Sequence, residues 1–79
     1  MTVTVLLFAD LRVAAARERL ELDLPAGATV RSAADRLEAD LGTGRLRGVM
    51  CAVNERYASP TTALADGDVV AFLPPVSGG

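Results

Sequence analysis

Apolar and polar positions alternate along Thr2–Phe8. Val3, Val5 and Leu7 share one face, and Thr2, Thr4, Leu6 and Phe8 share the other. A period of two predicts a strand, with the valine face in the core. Apolar residues on both faces at its far end mark a strand that is central in its sheet or part of a binding surface. Ala9–Arg17 carries an alanine run and reads as a connection without an assigned element. Glu18–Leu24 is a strand with one dry and one wet face, because Leu20, Leu22 and Leu24 alternate with Arg19, Glu21 and Asp23. Pro25-Ala26-Gly27 stops it.

The period then changes. Thr29 offers an N-cap hydroxyl, and Val30, Ala33, Ala34, Leu37 and Leu41 fall on one stripe of an amphipathic helix. Arg31, Asp35, Arg36, Glu38 and Asp40 lie off that stripe, and Gly42 suits the position just past the helix. Ser32 stands where Glu or Gln would complete a capping box, so the box is expected to be incomplete. Thr43–Gly48 reads as a loop, Val49–Val53 as a third strand, Asn54-Glu55 as a turn and Arg56–Ala58 as a brief extended segment broken by Ser59-Pro60-Thr61. Asp66-Gly67-Asp68 is a turn signal. Val69–Leu73 is the last strand, with Val69, Ala71 and Leu73 on one face and Val70 and Phe72 on the other. Pro74-Pro75 ends it, since proline cannot donate to a ladder. The order β-β-α-β-(β)-β predicts an α+β fold: a mixed sheet of four to five strands packed on one main helix, in two layers.

Composition narrows the function. The 79 residues suffice for one domain, expected over 1–75, followed by a flexible tail over 76–79. At 51% hydrophobic and 23% charged residues the chain is of the globular class. A formal net charge of −2 with no basic run argues against a nucleic-acid partner. All 8 cationic residues are arginines; histidine is absent and Cys51 is the sole cysteine. That leaves too few ligands for a zinc site and no imidazole for a Ser-His or Cys-His dyad, and Asp66 with Asp68 is too small a set for another metal. Cys51 has no cationic neighbour in sequence and reads as an inert core thiol. No basic segment leads into an apolar stretch at the start, and the run Val5–Ala9 is far short of the roughly 20 residues of a membrane helix. The expected location is cytoplasmic, without membrane contact.

The chemistry is expected at the end, Val76-Ser77-Gly78-Gly79. Two glycines after a strand and a Pro-Pro stop project from a rigid platform. Without Cβ atoms they can enter a narrow channel. Four extended residues span at most about 13–14 Å, which suits delivery of a carboxylate into another protein's active site. A carboxylate is a poor acyl donor, so a separate enzyme must first convert it to a mixed anhydride, most simply an acyl-adenylate made with ATP. Attack by a sulfur nucleophile would give a thiocarboxylate.

The stretch Asp66-Gly67-Asp68-Val69-Val70-Ala71-Phe72-Leu73-Pro74-Pro75-Val76-Ser77-Gly78-Gly79 closely resembles the C-terminus of molybdopterin synthase small subunits. Leu7-Phe8-Ala9 with Leu11-Arg12 resembles that family's first strand and loop, and Ala52-Val53-Asn54 its central strand end. The alanine run after Arg12 departs from the family's more usual acidic continuation. The resemblance implies a ubiquitin-like β-grasp fold and a carrier that is not an enzyme on its own and binds no cofactor. It implies adenylation of Gly79 by a ubiquitin-activating-type adenylyltransferase that uses ATP, then conversion to the thiocarboxylate. It further implies a heterotetramer with the synthase large subunit and sulfur donation to cyclic pyranopterin monophosphate, building molybdopterin. Gly79 and Gly78 are the expected reactive end. Phe8, Phe72, Pro74, Pro75, Val76 and Ser77 are the expected docking residues, with Leu6 a further candidate and Leu73 assigned to the core. Arg12 is left as a solvated loop charge. Two other functions stay open: a sulfur carrier for thiamine thiazole synthesis, and a ubiquitin-like protein modifier. The lack of lysine forbids lysine-linked chains of this protein but not its attachment to others.

Overall fold

The computed structural model describes residues 1–42, 44, 46 and 49–73. The elements are β1 (Thr2–Leu7), α1 (Ala9–Ala15), β2 (Arg19–Asp23), α2 (Val30–Leu41), β3 (Met50–Val53), β4 (Arg56–Ala58) and β5 (Val69–Leu73). The strands form one mixed sheet in the order β2-β1-β5-β3-β4. Only the β1–β5 pair is parallel; β1–β2, β3–β5 and β3–β4 are antiparallel. The fold is the expected α+β arrangement, with all five strands in the sheet.

Strand β1 is central because both of its faces and both of its edges are used. Val3, Val5 and Leu7 are buried in the core, while Thr2, Thr4 and Leu6 face the other side. Its neighbour β2 is an edge strand, which its exposed Arg19, Glu21 and Asp23 keep in water. Helix α2 covers the core face with Val30, Ala33 and Leu37. Its N-terminus is capped by Thr29, whose hydroxyl accepts from the Ser32 N–H at 3.3 Å. The capping box is complete, which corrects the sequence expectation: the Ser32 hydroxyl reaches back to accept from the Thr29 N–H at 3.1 Å, in place of the longer Glu or Gln side chain. Gly42 ends the helix at φ 64°, its N–H donating to the Glu38 carbonyl.

Two further expectations are corrected. Ala9–Ala15 is a helix, so β1 and β2 are joined through α1 and not by a simple hairpin turn. This helix has no side-chain cap and buries only Leu11, which is why its sequence carries so weak a period. It ends at Ala16 in the left-handed region, φ 57°. The second correction concerns the faces of β5. Val70 and Phe72 are 0% and 1% exposed and belong to the core, whereas Val69, Ala71 and Leu73 look outward. Register dictates this, because Val5 pairs with Val70 and Leu7 with Phe72, and directly paired residues share a face.

The turn before β5 is a small polar lock. The Thr2 N–H donates to Asp66 Oδ1 at 2.8 Å, and the Gly67 N–H donates to the Thr2 carbonyl. Asp68 accepts from the Ala65 N–H at 2.8 Å and from the Asn54 amide at 3.0 Å. The Asn54 side-chain carbonyl in turn accepts from the Val69 N–H. Thus one carboxylate and one carboxamide fasten the β3–β4 turn to the start of β5.

Candidate functional site

The direction of β5 determines where the chain's last residues depart. Parallel pairing carries β5 alongside β1 from Thr4↔Val69 to Leu7↔Phe72, and antiparallel pairing sets Leu73 opposite Met50. The chain therefore leaves β5 at the end of the sheet where β1 gives way to Phe8 and α1 begins. Pro74, Pro75, Val76, Ser77, Gly78 and Gly79, all singled out from sequence, lie outside the described residues.

The sheet face turned away from α2 is apolar at its centre. Paired residues share a face, so Leu6, Ala71, Ala52 and Tyr57 form one row across β1, β5, β3 and β4. Leu73 and Met50 form the next row, closer to the exit. Phe8 is 42% exposed, Met50 45% and Tyr57 75%, so no element among the described residues covers these large apolar groups. The charged strand β2 bounds this face on one side, with Arg19, Glu21 and Asp23 paired to Leu6, Thr4 and Thr2. Such a contiguous apolar area with a polar border is what a protein partner covers.

Of the sequence-chosen docking residues, the structure leaves Phe8 exposed beside the exit. Phe72 is corrected: it is a core side chain under β5 and offers no contact area. Leu73, assigned to the core, is instead half-buried on the open face. Met50 and Tyr57 were missed. Their place on this face follows from strand pairing, and only an alternating pattern over Met50–Val53, too short to read, could have indicated it.

Other chemistry-bearing groups are occupied structurally. Arg12 pairs with Glu18 at 3.6 Å, across the α1–β2 connection and in solvent. The Cys51 thiol, on the core face of β3, donates to the Ala58 carbonyl at 3.3 Å, and burial pushes its pKa up, away from thiolate formation. It lies at the base of a groove of about 540 Å³ between α2 and β3, rimmed by Arg31, Asp35 and Glu38. The Glu38 carboxylate there holds the N–H groups of Gly44 and Leu46. Among the described residues no three Cys, Asp or Glu side chains gather as metal ligands would, and no helix is long and apolar enough to cross a membrane.

One mixed five-stranded sheet with its last strand between β1 and β3, and one main helix across its core face, is a ubiquitin-like β-grasp arrangement. The family comparison agrees: residues 5–79 match the ThiS family, and the chain belongs to that family of sulfur carriers with the β-grasp fold. Solved structures extend the likeness over the whole chain. SAMP1 from Haloferax volcanii is 29% identical with a TM-score of 0.88, covering 100% of both chains. A putative molybdopterin converting factor subunit 1 from Pyrococcus furiosus is 35% identical with a TM-score of 0.85, covering 96% of this chain and 99% of its own. Subunit 1 in the complex of subunits 1 and 2 of the molybdopterin-converting factor from Helicobacter pylori is 27% identical with a TM-score of 0.71, covering 100% of both.

Proposed function

We propose that this carrier delivers sulfur in molybdopterin synthesis through a thiocarboxylate on Gly79. The observation that carries the reading is the exit of β5 beside Phe8 and Met50, at the rim of the open apolar face. A partner that covers this face sits beside Leu73, the last described residue of β5. The 35% identity to the Pyrococcus furiosus subunit 1 and the Asp66–Gly79 pattern support this pathway over other uses of the fold.

In this reading an adenylyltransferase of the ubiquitin-activating type docks on Leu6, Phe8, Met50 and Tyr57 and receives the tail. A Gly79 carboxylate oxygen attacks the α-phosphorus of ATP, and pyrophosphate leaves. Hydrosulfide from the sulfur donor then attacks the acyl carbon, AMP leaves with its phosphate oxygen, and loss of the S–H proton gives the thiocarboxylate. The large subunit of the synthase docks on the same face and supplies the residues that move sulfur to cyclic pyranopterin monophosphate. The rings of Pro74 and Pro75 fix two φ angles ahead of Val76, which lowers the ordering cost of inserting Ser77, Gly78 and Gly79. The carrier acts in the cytoplasm, binds no cofactor of its own and contributes no acid or base.

The similarity to SAMP1 favours a second reading, in which the same activated Gly79 is joined to amines of other proteins as a modifier. One experiment separates the two. The chain is incubated with ATP, the adenylyltransferase and a sulfur donor, and its intact mass is measured. Replacement of one oxygen by sulfur, followed by loss of that sulfur when large subunit and pyranopterin are added, supports the carrier reading. Conjugates to added proteins with no sulfur gain support the modifier. An unchanged mass, where a known carrier is converted, overturns both.

A further inference from the structure

The two readings above share an activated acyl group at Gly79, and the present inference rests on that shared intermediate. An activated acyl group is consumed by any accessible nucleophile, including those of the carrier's own copies at working concentration. The nucleophiles of this chain follow a pattern. Its 8 cationic side chains are all arginine, whose guanidinium stays protonated and does not attack carbonyls. Lysine, the usual side-chain amine, does not occur in the 79 residues, nor does histidine, so no imidazole can attack or activate a hydroxyl.

The Met1 amine and the Cys51 thiol, the two remaining strong nucleophiles, are both engaged within the fold, and the exposed Tyr57 phenol is a weaker one. The Met1 amine donates to the Leu24 carbonyl at 2.8 Å, at the end of the sheet opposite the β5 exit. Cys51 is 7% exposed, donates to the Ala58 carbonyl at 3.3 Å, and is held as a thiol by burial. A thiol is the most dangerous group for such an intermediate, because thiolates exchange rapidly with activated acyl groups. It lies on the core face of β3, at the base of the groove between α2 and β3 and not on the open face beside the exit.

We propose that the chain is built to be inert toward its own activated C-terminus, so that the acyl group leaves only to a nucleophile supplied by a partner. Arginine in place of lysine keeps the surface cationic while withholding amines. The docked partner is then the sole gate through which Gly79 reacts, whichever acceptor it carries.

The test installs the activated group without any activating enzyme, so its outcome is independent of the sulfur-carrier reading. The full chain is prepared as a Gly79 thioester of a small thiol and incubated at about pH 9.4, where roughly a tenth of an ordinary lysine amine is free. Amine attack would form an amide bond and expel the small thiol; thiol attack by Cys51 would form a new thioester and expel the same group. Intact mass and denaturing gels should show hydrolysis to the free acid, with self-conjugates at least about tenfold rarer than in the exposed-surface variants Arg19→Lys and Arg56→Lys. An added Gly-Gly-Gly ahead of Met1, which moves the amine off the sheet, should likewise raise conjugation. Parent chain that self-conjugates as readily as the lysine variants overturns the proposal. So does a parent dimer whose intact mass shows loss of the small thiol, and not the loss of two hydrogens that marks a disulfide, and which collapses on addition of excess thiol, since that would place the acyl group on Cys51.

Discussion

Phe8 and Phe72 are the chain's two phenylalanines, and they should respond to truncation in opposite ways. Phe72 is 1% exposed and the largest fully buried side chain, packed in one cluster with Leu7, Val30, Leu37 and Cys51. Replacing a buried phenylalanine with alanine costs about 3–5 kcal/mol, through lost transfer energy and the cavity left behind. At about 0.05–0.15 kcal/mol per residue, 79 residues give a total stability of only about 4–12 kcal/mol. Phe72→Ala therefore removes about a quarter or more of the folding free energy. With a urea slope near about 1–1.5 kcal/mol per molar for so small a domain, the unfolding midpoint falls by at least about 2 M. Phe72→Leu keeps most of the volume and should cost about 1 kcal/mol, which keeps the comparison readable if the alanine variant does not fold. Phe8→Ala should leave the midpoint within about 0.5 kcal/mol of the parent, and weaken binding of a large subunit by about 1–2 kcal/mol. Circular dichroism is the suitable probe, because the chain has no tryptophan and Tyr57 is 75% exposed. Equal losses of stability in Phe8→Ala and Phe72→Ala would refute the placing of Phe72 in the core and of Phe8 outside it.

Two further outcomes follow from the turns. Asp68 is held below the usual carboxylate pKa of 3.8, chiefly by the Ala65 N–H and then by the Asn54 amide. A folded-state pKa below the unfolded value stabilises above about pH 3.8 and loses that contribution as pH falls through the folded value. Asp68→Asn should therefore be less stable than the parent at pH 7, and denaturation series at lower pH should show the gap shrinking below about pH 3.8. In the β3–β4 turn Asn54 and Glu55 both have positive φ, 51° and 70°. This is the geometry that favours Asn-Gly, so Glu55→Gly should raise stability by about 0.5–1 kcal/mol in thermal unfolding, after glycine's entropy is set against the relieved backbone cost.

The parts of the fold legible in the sequence are those where burial is one-sided. Strand β2 shows its alternation because one face is wet, and α2 shows its stripe because five apolar positions recur between a threonine and a glycine. Helix α1 was illegible because a single buried leucine among alanines gives no period, and Phe8 supplies no capping oxygen. Strand β5 was legible as a strand but not in orientation: with Val70 and Phe72 on one side and Val69, Ala71 and Leu73 on the other, both faces are apolar. Only the register against Val5 and Leu7 decides between them. The docking face was half legible for the same reason. Phe8 announces itself beside a strand end, whereas Met50 and Tyr57 reach that face only through pairing with Leu73 and Ala52.

The place of β5 in the sheet carries a consequence for production of the molecule in the cell. It is the last strand made, yet it lies between β1 and β3 and is the piece that joins the β2–β1 half to the β3–β4 half. Nothing synthesised before Leu73 can close the sheet, so a chain halted or clipped upstream leaves two unpaired strand edges and an open core. Such a product is recognisable to proteases by its lack of structure. Completion of the sheet thus checks synthesis as far as Leu73: every molecule that passes as folded has been made through β5.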